Sequence, residues 1–220
     1  MKLKKIIRVA VDSPSASGAG TISKKIAKHY NLIYCDTGKI YRLLAYALIK
    51  NKNIKNKINF LSRLSKKISL KKLLDKNLLN DDVAYAASKI AKDLRVRKLV
   101  LKFQKDLAYN PPKSFNGSIL DGRDISSIVV PDAHIKIYIT ANINIRARRR
   151  FKELKKLGKK VKFQEILKSM KKRDREDRTR KHSKLKKTRD SYLLNTSNLS
   201  IKSSFLEVKK MMDRKIKEIC

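Results

Sequence analysis

Ser118-Ile119-Leu120-Asp121-Gly122-Arg123-Asp124, residues 118–124, is the stretch from which the fold can be argued. Its apolar residues end a short run that is typical of a buried strand, and the glycine predicts a turn directly after it. The three charged residues would then stand together where a strand gives way to a loop, the edge at which open α/β sheets bind ligands. An arginine there can hold a phosphate while the carboxylates take a base edge or a metal ion. A solvated turn with a local ion pair is the alternative.

The composition indicates the class of protein but does not identify its binding partner. The chain of 220 residues carries 57 Lys and Arg against 19 Asp and Glu, a formal net charge of +38, and is 41% hydrophobic. Such a chain is long and apolar enough for one domain, or for one core with an insertion. The charge favours polyanions or anionic substrates. Lysine and asparagine abound in every segment, so charge alone does not choose between them, although residues 143–190 hold 22 of the 57 cations.

The two cysteines and the lengths of the apolar runs indicate in which cellular compartment the protein is expected. Cys35 and Cys220 are too few and too far apart for a disulfide framework or a zinc site, so we expect free thiols in a reducing cytoplasm. Arg8 and Asp12 interrupt the apolar stretch near the start, which argues against a signal peptide. No apolar run approaches the roughly 18 residues of a membrane span. The expectation is a cytoplasmic protein with no membrane partner.

The opening segment predicts a phosphate-binding loop of unusual sequence. Ile6–Val11 is typical of an interior strand, residues 12–21 are mostly small, and Ile22–Tyr30 is amphipathic. A strand, a small-residue loop and a helix N-terminus together can hold a phosphate through backbone N–H groups. Matched literally against the phosphate-loop pattern, only Gly18 survives, with Ser13 at the first glycine and Ala19 at the lysine. A generic strand-to-helix turn is the alternative.

Further strands and helices alternate along the chain. Strands are predicted at Leu32–Cys35, Ile135–Thr140 and Tyr192–Leu194, and helices at about Lys39–Lys50, Asp82–Gln104 (one or two), Asn142–Leu157, Phe163–Arg180 and Ser203–Ile219. Thr37 could cap the helix that follows it, and residues 51–82 favour helix without identifiable chemistry. Alternation of this kind predicts an α/β fold with a five-stranded parallel sheet flanked by helices.

One predicted helix face combines both charges. Arg173, Asp177 and Arg180 fall at i, i+4 and i+7 and therefore share a face. Such a face can be a solvated ladder of ion pairs that contributes little to stability. Two arginines beside a carboxylate can also form a movable clamp for an anion.

In this order of parts the chain resembles the bacterial cytidylate kinases, members of the P-loop nucleoside monophosphate kinases. The resemblance covers nearly the whole chain and is carried by Asp12–Thr21, Asp36-Thr37-Gly38 with Tyr41-Arg42, Ala86-Ala87-Ser88 with Arg95-Val96-Arg97 and Gln104, Asp121–Asp124 with Pro131-Asp132-Ala133, and Arg173-Asp174 through Asp177 to Arg180. It implies transfer of the γ-phosphoryl group of ATP to CMP or dCMP, with Mg²⁺ accompanying the ATP.

The resemblance also implies site residues. The CMP site would be formed by Thr37, Arg42, Ser88, Arg97, Arg123, Asp124, Arg173, Asp177 and Arg180. Within it, Ser88, Arg97 and Asp124 would meet the cytosine edge, Arg42, Arg123 and Arg180 the phosphate, and Arg173 and Asp177 the sugar. The catalytic residues would be Arg123, Arg173 and Arg180. The ATP phosphates would lie on Ser15, Ala16, Ser17, Gly18, Ala19, Gly20 and Thr21. No residue is assigned as a metal ligand.

Three parts are expected by the same resemblance. The core would comprise residues 1–42, 83–148 and 182–220, the nucleotide-monophosphate-binding insertion 43–82, and the arginine-rich lid 149–181. The insertion is shorter than in the longer members of the family, which puts its small sheet in doubt.

Ala19 is the main departure, because the family has a lysine there that bridges the β- and γ-phosphates. Three outcomes stay open: Lys24 or Lys25 reaches back, the lid arginines compensate, or transfer is impaired or lost. A kinase-fold protein that binds RNA or other polyanions, and a kinase for another nucleotide such as UMP, are the rival functions. No aromatic platform is interleaved with the basic residues, so nucleic acid is the less expected partner. We expect a monomer.

Overall fold

The five predicted strands form one parallel sheet. The computed structural model describes residues 5–51 and 53–219, so the prediction for Cys220 lies outside the described residues. Within them, the strands are β1 (Ile7–Asp12), β2 (Leu32–Asp36), β3 (Gly117–Gly122), β4 (Ile135–Thr140) and β5 (Tyr192–Asn195). Their order is β2-β3-β1-β4-β5, and every neighbouring pair is parallel. The predicted fold class is confirmed.

Helices cover the sheet and connect its strands. They are α1 (Ala19–Tyr30), α2 (Thr37–Lys50), α3 (Lys57–Ser65), α4 (Asp81–Ile90), α5 (Leu94–Tyr109), α6 (Ile143–Lys156), α7 (Phe163–Thr179) and α8 (Ile201–Ile219). Short 3₁₀ turns occupy Lys72–Leu74 and Lys76–Leu79, and one π-helical turn occupies Ile125–Val129. No helix in the described part of the chain combines the length and the apolar character needed to cross a membrane.

The sheet is buried on both faces, as parallel sheets are. Successive side chains of a strand point to opposite faces, so Ile119 packs with Ile26 and Met212 beneath α1 and α8, whereas Leu120 packs with Leu44 and Val100 beneath α2 and α5. All of these side chains are fully buried. The apolar runs that predicted the strands are therefore explained by burial from two sides.

The insertion and the lid differ in how they pack. Leu61, Ile68 and Leu73 belong to the same apolar cluster as Leu120, so residues 53–82 share the core of the sheet, and no strand occurs among them. The α6–α7 pair buries a small cluster of its own, built around Leu154 and Met170. The three predicted parts and their boundaries stay a prediction. Three of the boundaries, 42/43, 82/83 and 148/149, fall inside α2, α4 and α6.

Three helices, α1, α2 and α8, begin at least two residues earlier than the sequence predicts, α8 at Ile201 and not at Ser203. α1 begins at Ala19 and not at Ile22, because Gly18 takes the left-handed conformation (φ 89°) that lets the loop turn directly into the helix. α2 begins at Thr37 and not near Lys39. Thr37 is also not the cap of that helix, since Asp36 holds the capping position and the Thr37 hydroxyl donates instead to the carbonyl oxygen of Asp121 at 2.8 Å.

Gly122 does not form the turn predicted for it. It is the last residue of β3, and its backbone is in register with Asp12 of β1. A Cβ atom at this position would lie 2.6 Å from Oγ1 of Thr37 and 2.7 Å from Cδ1 of Ile125. The glycine is therefore required by the close approach of α2 and the π-helical turn to the end of the strand.

Candidate nucleotide site

The register of the sheet brings three carboxylates to one edge. Asp121 pairs with Val11 on one side and with Asp36 on the other, and Asp12 follows Val11 at the end of β1. Parallel strands end at the same edge, so all three residues lie where the loops after β1, β2 and β3 meet. This edge is the one predicted to bind ligands.

The loop after β1 ends at the N-terminus of α1. Ala16 (φ 57°) and Gly18 (φ 89°) both take left-handed conformations, and the N–H of Ile22 donates to the Gly18 carbonyl at 3.0 Å. Backbone N–H groups at such a helix start are a binding site for phosphate. The side chain of Ala19 is buried in the apolar cluster beneath α1 and supplies no charge to the loop.

Two arginines of α6 contact the same loop from outside. Arg146 donates from NH1 to the carbonyl oxygen of Ser15 at 3.1 Å and to the carboxylate of Asp174 at 3.2 Å. Arg149 donates from NH1 to the carbonyl oxygen of Ser17 at 3.3 Å. The α6 helix thus holds the phosphate-binding loop at two points.

Asp121 lies beside this loop in a crowded acidic environment. One of its oxygens lies 3.5 Å from where a Cβ of Gly20 would be, and the Tyr34 hydroxyl donates to the same carboxylate oxygen at 3.4 Å. Burial, followed by the negative charge of Asp36, raises the pKa of Asp121 to about 7. Burial and the charge of Asp121 likewise raise the pKa of Tyr34 above its ordinary range.

Beyond Asp121, Arg123 connects the sheet edge to α7. Its Nε donates to Oδ2 of Asp177 at 3.1 Å, while NH1 of Arg180 donates to Oδ1 of the same carboxylate at 3.4 Å. Burial opposes the charge of Arg123, but Asp177 and Asp121 more than offset it and raise the pKa of Arg123. The predicted shared face of Asp177 and Arg180 is therefore turned toward the core.

Two buried donors in this cluster have no hydrogen-bond partner among the described residues. They are Nε of Arg173 and NH2 of Arg180. Burial, followed by the positive charge of Arg123, lowers the pKa of Arg173 to about 10. Unpaired buried N–H groups are uncommon in folded proteins, and an anionic ligand is one group that would satisfy them.

Arg97 and Asp124 form a buried ion pair next to the arginines. NH2 of Arg97 donates to Oδ2 of Asp124 at 2.5 Å, and its NH1 donates to the Ala91 carbonyl at 2.9 Å. The Tyr41 ring lies against the guanidinium, 5.4 Å from its centroid to Cζ. Burial raises the pKa of Tyr41 to about 12.

Most of the predicted site residues converge. Direct contacts or close charges link Arg97, Arg123, Asp124, Arg173, Asp177 and Arg180. Arg42 lies close enough to this group for its positive charge to lower the pKa of Arg173. Its NH1 donates to the Leu78 carbonyl at 2.9 Å. Thr37 is connected to the group by the hydrogen bond from its hydroxyl to the Asp121 carbonyl. Ser88 is half-buried on α4, and within the described ranges its side chain makes no hydrogen bond to the others. The roles assigned to all of them stay predictions.

Several residues of this site were missed by sequence reasoning. Asp36 ends a predicted strand, so the edge rule applied to Asp121 could have found it as well. Arg146 and Arg149 had no such signal, because they are two of the 22 cations in residues 143–190. Asp12 accepts hydrogen bonds from the N–H groups of Ile125 and Ser126 and so fixes the π-helical turn after β3.

Comparison with known proteins agrees with this geometry. The family model described as Cytidylate kinase matches residues 9–214. The cytidylate kinase of Bartonella bacilliformis is 43% identical over 210 residues, 95% of each chain. That of Brucella suis biovar 1 is 42% identical over 207 residues, 93% of this chain and 92% of the relative.

A solved structure shares the fold alone. An uncharacterized protein from Eubacterium ventriosum superposes with a TM-score of 0.52 at 18% identity, covering 95% of this chain and 99% of that one. The match to the family model spans nearly the whole chain, and the curated relatives cover it at more than two fifths identity. The chain therefore belongs to the cytidylate kinase family.

Proposed function

We propose that the protein transfers the γ-phosphoryl group of ATP to CMP or dCMP, giving CDP or dCDP. The observation that carries the proposal is the convergence of Arg123, Arg173 and Arg180 around Asp177, at the sheet edge that also holds the phosphate-binding loop. Phosphoryl transfer depends on positioning and charge neutralisation more than on covalent chemistry by the protein. A cluster of arginines beside a helix N-terminus supplies both.

The acceptor phosphate fits the three arginines. Arg173 and Arg180 each have a buried donor that needs an acceptor, and a phosphate offers several oxygens at once. Because Arg173 and Arg180 come from α7 and its C-terminus, movement of this helix would deliver both charges together. Closure of the predicted lid, residues 149–181, would also keep water away from the transferring group.

The base would be read by Arg97 and Asp124. Cytosine carries an exocyclic amine that a carboxylate can accept from. Its ring nitrogen and carbonyl oxygen, in turn, can accept from a guanidinium. Both side chains are already oriented by their mutual hydrogen bond at 2.5 Å and are buried, so mismatched bases would leave polar groups unpaired. Ser88 is retained in this proposal as a third contact to the base.

Mg²⁺ would enter with ATP. Asp121 and Asp36 are neighbouring carboxylates, Asp121 lies beside Gly20, and Thr21 follows Gly20 in the chain. Carboxylate and hydroxyl oxygens are donors that Mg²⁺ takes in nucleotide sites. Burial and the charge of Asp36 raise the pKa of Asp121, and a cation bound beside the two carboxylates would oppose both effects. When bound, the ion would neutralise charge on the phosphates.

The proposal is tested by an acceptor panel. Purified protein with Mg-ATP is offered CMP, dCMP, UMP and AMP, and ADP release is followed by a coupled assay. We expect CMP and dCMP to stimulate release well above UMP and AMP. Stimulation by UMP alone would assign another acceptor. If no acceptor stimulates release while RNA binds with a steep salt dependence, the chain is a polyanion-binding relative that has lost transfer.

Arg180 provides a residue-level test of the same proposal. We expect Arg180→Ala to lower kcat/KM for CMP by at least about tenfold. An arginine aimed at the transferring phosphoryl group lowers the activation barrier by several kcal/mol, and the variant loses this stabilisation. Arg175→Ala, an exposed arginine on the same helix, is the matched control. Steady-state kinetics with CMP varied, together with a thermal unfolding scan, makes the comparison. Equal kcat/KM in the two variants would remove Arg180 from the site.

A further inference from the structure

The cation that neutralises the ATP phosphates has to come from outside the phosphate-binding loop. Loops of this class normally carry a lysine that reaches the β- and γ-phosphates, and this chain has Ala19 at that place. Its methyl group is buried under α1 and cannot substitute for the ammonium. Another element of the fold must therefore supply the positive charge.

Lysines on α1 are poor candidates. The Nζ of Lys24 lies 5.9 Å from the centroid of the Tyr34 ring, and both Lys24 and Lys25 are exposed on the helix beyond its first turn. Arg146 contacts the loop but is also paired with Asp174, so its charge is already neutralised. These observations leave Arg149 as the candidate with the most direct contact to the loop.

Arg149 is held against the loop by neutral groups. Its NH1 donates to the Ser17 carbonyl at 3.3 Å and to Oγ1 of Thr196 at 2.9 Å, and its NH2 donates to the Thr196 carbonyl at 2.6 Å. Oγ1 of Thr196 donates in turn to the Ser17 carbonyl at 2.7 Å. The guanidinium is thus fixed between α6, the segment after β5 and the loop. It retains N–H groups that these bonds do not use.

The positive charge of Arg149 lacks a counter-ion in the part of the chain that the structure describes. No carboxylate among those residues pairs with it, and burial alone lowers its pKa. NH1 lies 3.9 Å from where a Cβ of Gly18 would be, beside the residue that opens the helix N-terminus. Burying a guanidinium without a counter-ion is unfavourable, and an anion bound next to it would offset that cost.

We propose that Arg149 binds the ATP phosphates directly and takes over the role of the loop lysine that this chain lacks. This inference rests on the proposed kinase function and names the residue that makes it possible with Ala19 in the loop. Because Ser17 and Thr196 fix the guanidinium beside the loop, little reorganisation would accompany its contact with the phosphates.

A double-mutant cycle between positions 19 and 149 tests the proposal. We expect Arg149→Ala to lower kcat for CMP phosphorylation by at least about 100-fold, in the range of lost phosphate-binding arginines. Ala19→Lys alone adds a second cation for the same phosphates and should raise kcat. Ala19→Lys combined with Arg149→Ala should recover at least about tenfold of the loss, since the two cations serve the same phosphates. Equal impairment of the double and the Arg149→Ala variants would overturn the shared role.

Two further variants separate charge from bracing of the loop. Arg149→Gln keeps an amide donor for the Ser17 carbonyl without the charge, and we expect it to be nearly as impaired as Arg149→Ala. Recovery of activity in Arg149→Gln would mean that the residue only positions the loop. Arg148→Ala removes an equal charge from an exposed neighbour on α6 and should change kcat by a factor of less than about 3.

Binding measurements keep the test independent of turnover. Calorimetry with ATP and AMP should show Arg149→Ala weakening ATP by at least about tenfold and AMP much less, because only ATP places phosphates along the whole loop. Equal weakening, or none, would refute the contact. If wild-type protein binds ATP in this Arg149-dependent way but phosphorylates no acceptor, the proposed function fails and the inference stands. Normal CMP phosphorylation by Arg149→Ala would refute the inference and leave the proposed function intact.

Discussion

Asp121 shows how the pKa of a single residue at this site is determined by its neighbours. Its carboxylate is buried between Asp36 on β2 and the helix start at Gly20, with Arg123 as the nearest opposing charge. The pKa of about 7 lies well above the value of 3.8 for an exposed aspartate. The folded protein therefore binds a proton at Asp121 more tightly than the unfolded chain does.

This difference predicts a pH-dependent cost to stability. Because the folded-state pKa is raised, the stability associated with Asp121 is greatest below about pH 4 and is lost as the pH rises toward 7. Asp121→Asn cannot ionise, so we expect it to unfold at higher denaturant than wild type at about pH 8, with the difference shrinking toward about pH 5. Urea titrations in EDTA without nucleotide measure this. Asp106→Asn, at an exposed position on α5, is the control for lost charge. A difference independent of pH would contradict the assignment.

At the same scale, the sequence predicted which residues lie together better than it predicted the contacts between them. Arg123, Asp124 and Asp177 could be predicted because they stand in short charged motifs beside predicted elements. The contacts they make, such as Arg123 with Asp177 across 54 positions, depend on tertiary packing that no local pattern encodes. Arg149 is the clearest example, since the role proposed for it depends on an alanine in another helix.

At the scale of elements, the strands and the start of α7 were predictable, whereas the starts of α1 and α2 were not. Fully buried parallel strands leave apolar runs such as Ile135–Thr140, whose observed limits agree with those predicted. The starts of α1 and α2 carry no capping signal, because Gly18 has no side chain and the side chain of Asp36 makes no capping hydrogen bond. The π-helical turn Ile125–Val129 carries no periodic signal either, because it is set by Asp12 from β1.

The contact between α7 and the sheet edge leads to a prediction about the lid. Asp177 bonds both Arg123 and Arg180, so one carboxylate neutralises part of the charge of two arginines. We expect Asp177→Asn to weaken this contact and to raise the rate of trypsin cleavage within α6 and α7 several-fold. Bound CMP with an ATP analogue should restore protection. Cleavage followed by mass spectrometry maps the sites.

A second variant on α7 controls for the loss of one negative charge in the trypsin experiment. Glu165→Gln removes one negative charge at an exposed position in the first turn of α7. We expect its cleavage rate to match wild type. If the two variants are cleaved equally fast, the Asp177 bridge does not hold α7 against the sheet edge.

At the scale of the whole molecule, the net charge of +38 opposes folding as much as it attracts nucleotides. Like charges repel more strongly in the compact state than in the expanded one, so a chain of this charge is destabilised by its own field. Arg97, Arg123 and Arg146 at the site have carboxylate partners, whereas the many exposed lysines far outnumber the acidic residues of the chain. Ions in solution screen such charges over about 10 Å at 0.1 M.

Salt should therefore stabilise this protein, and removing distant lysines should reproduce the effect. We expect the Tm in nucleotide-free buffer to rise between low and about 0.5 M NaCl, because screening weakens the repulsion. Exchange of Lys102, Lys105 and Lys210 for glutamate, three exposed positions on α5 and α8, lowers the formal charge from +38 to +32. This variant should melt higher than wild type at low salt and depend less on NaCl. The same three positions changed to arginine keep the charge and should keep the wild-type salt response. Identical salt curves for the glutamate and arginine variants, measured by scanning calorimetry, would show that repulsion among surface cations does not limit the stability of this fold.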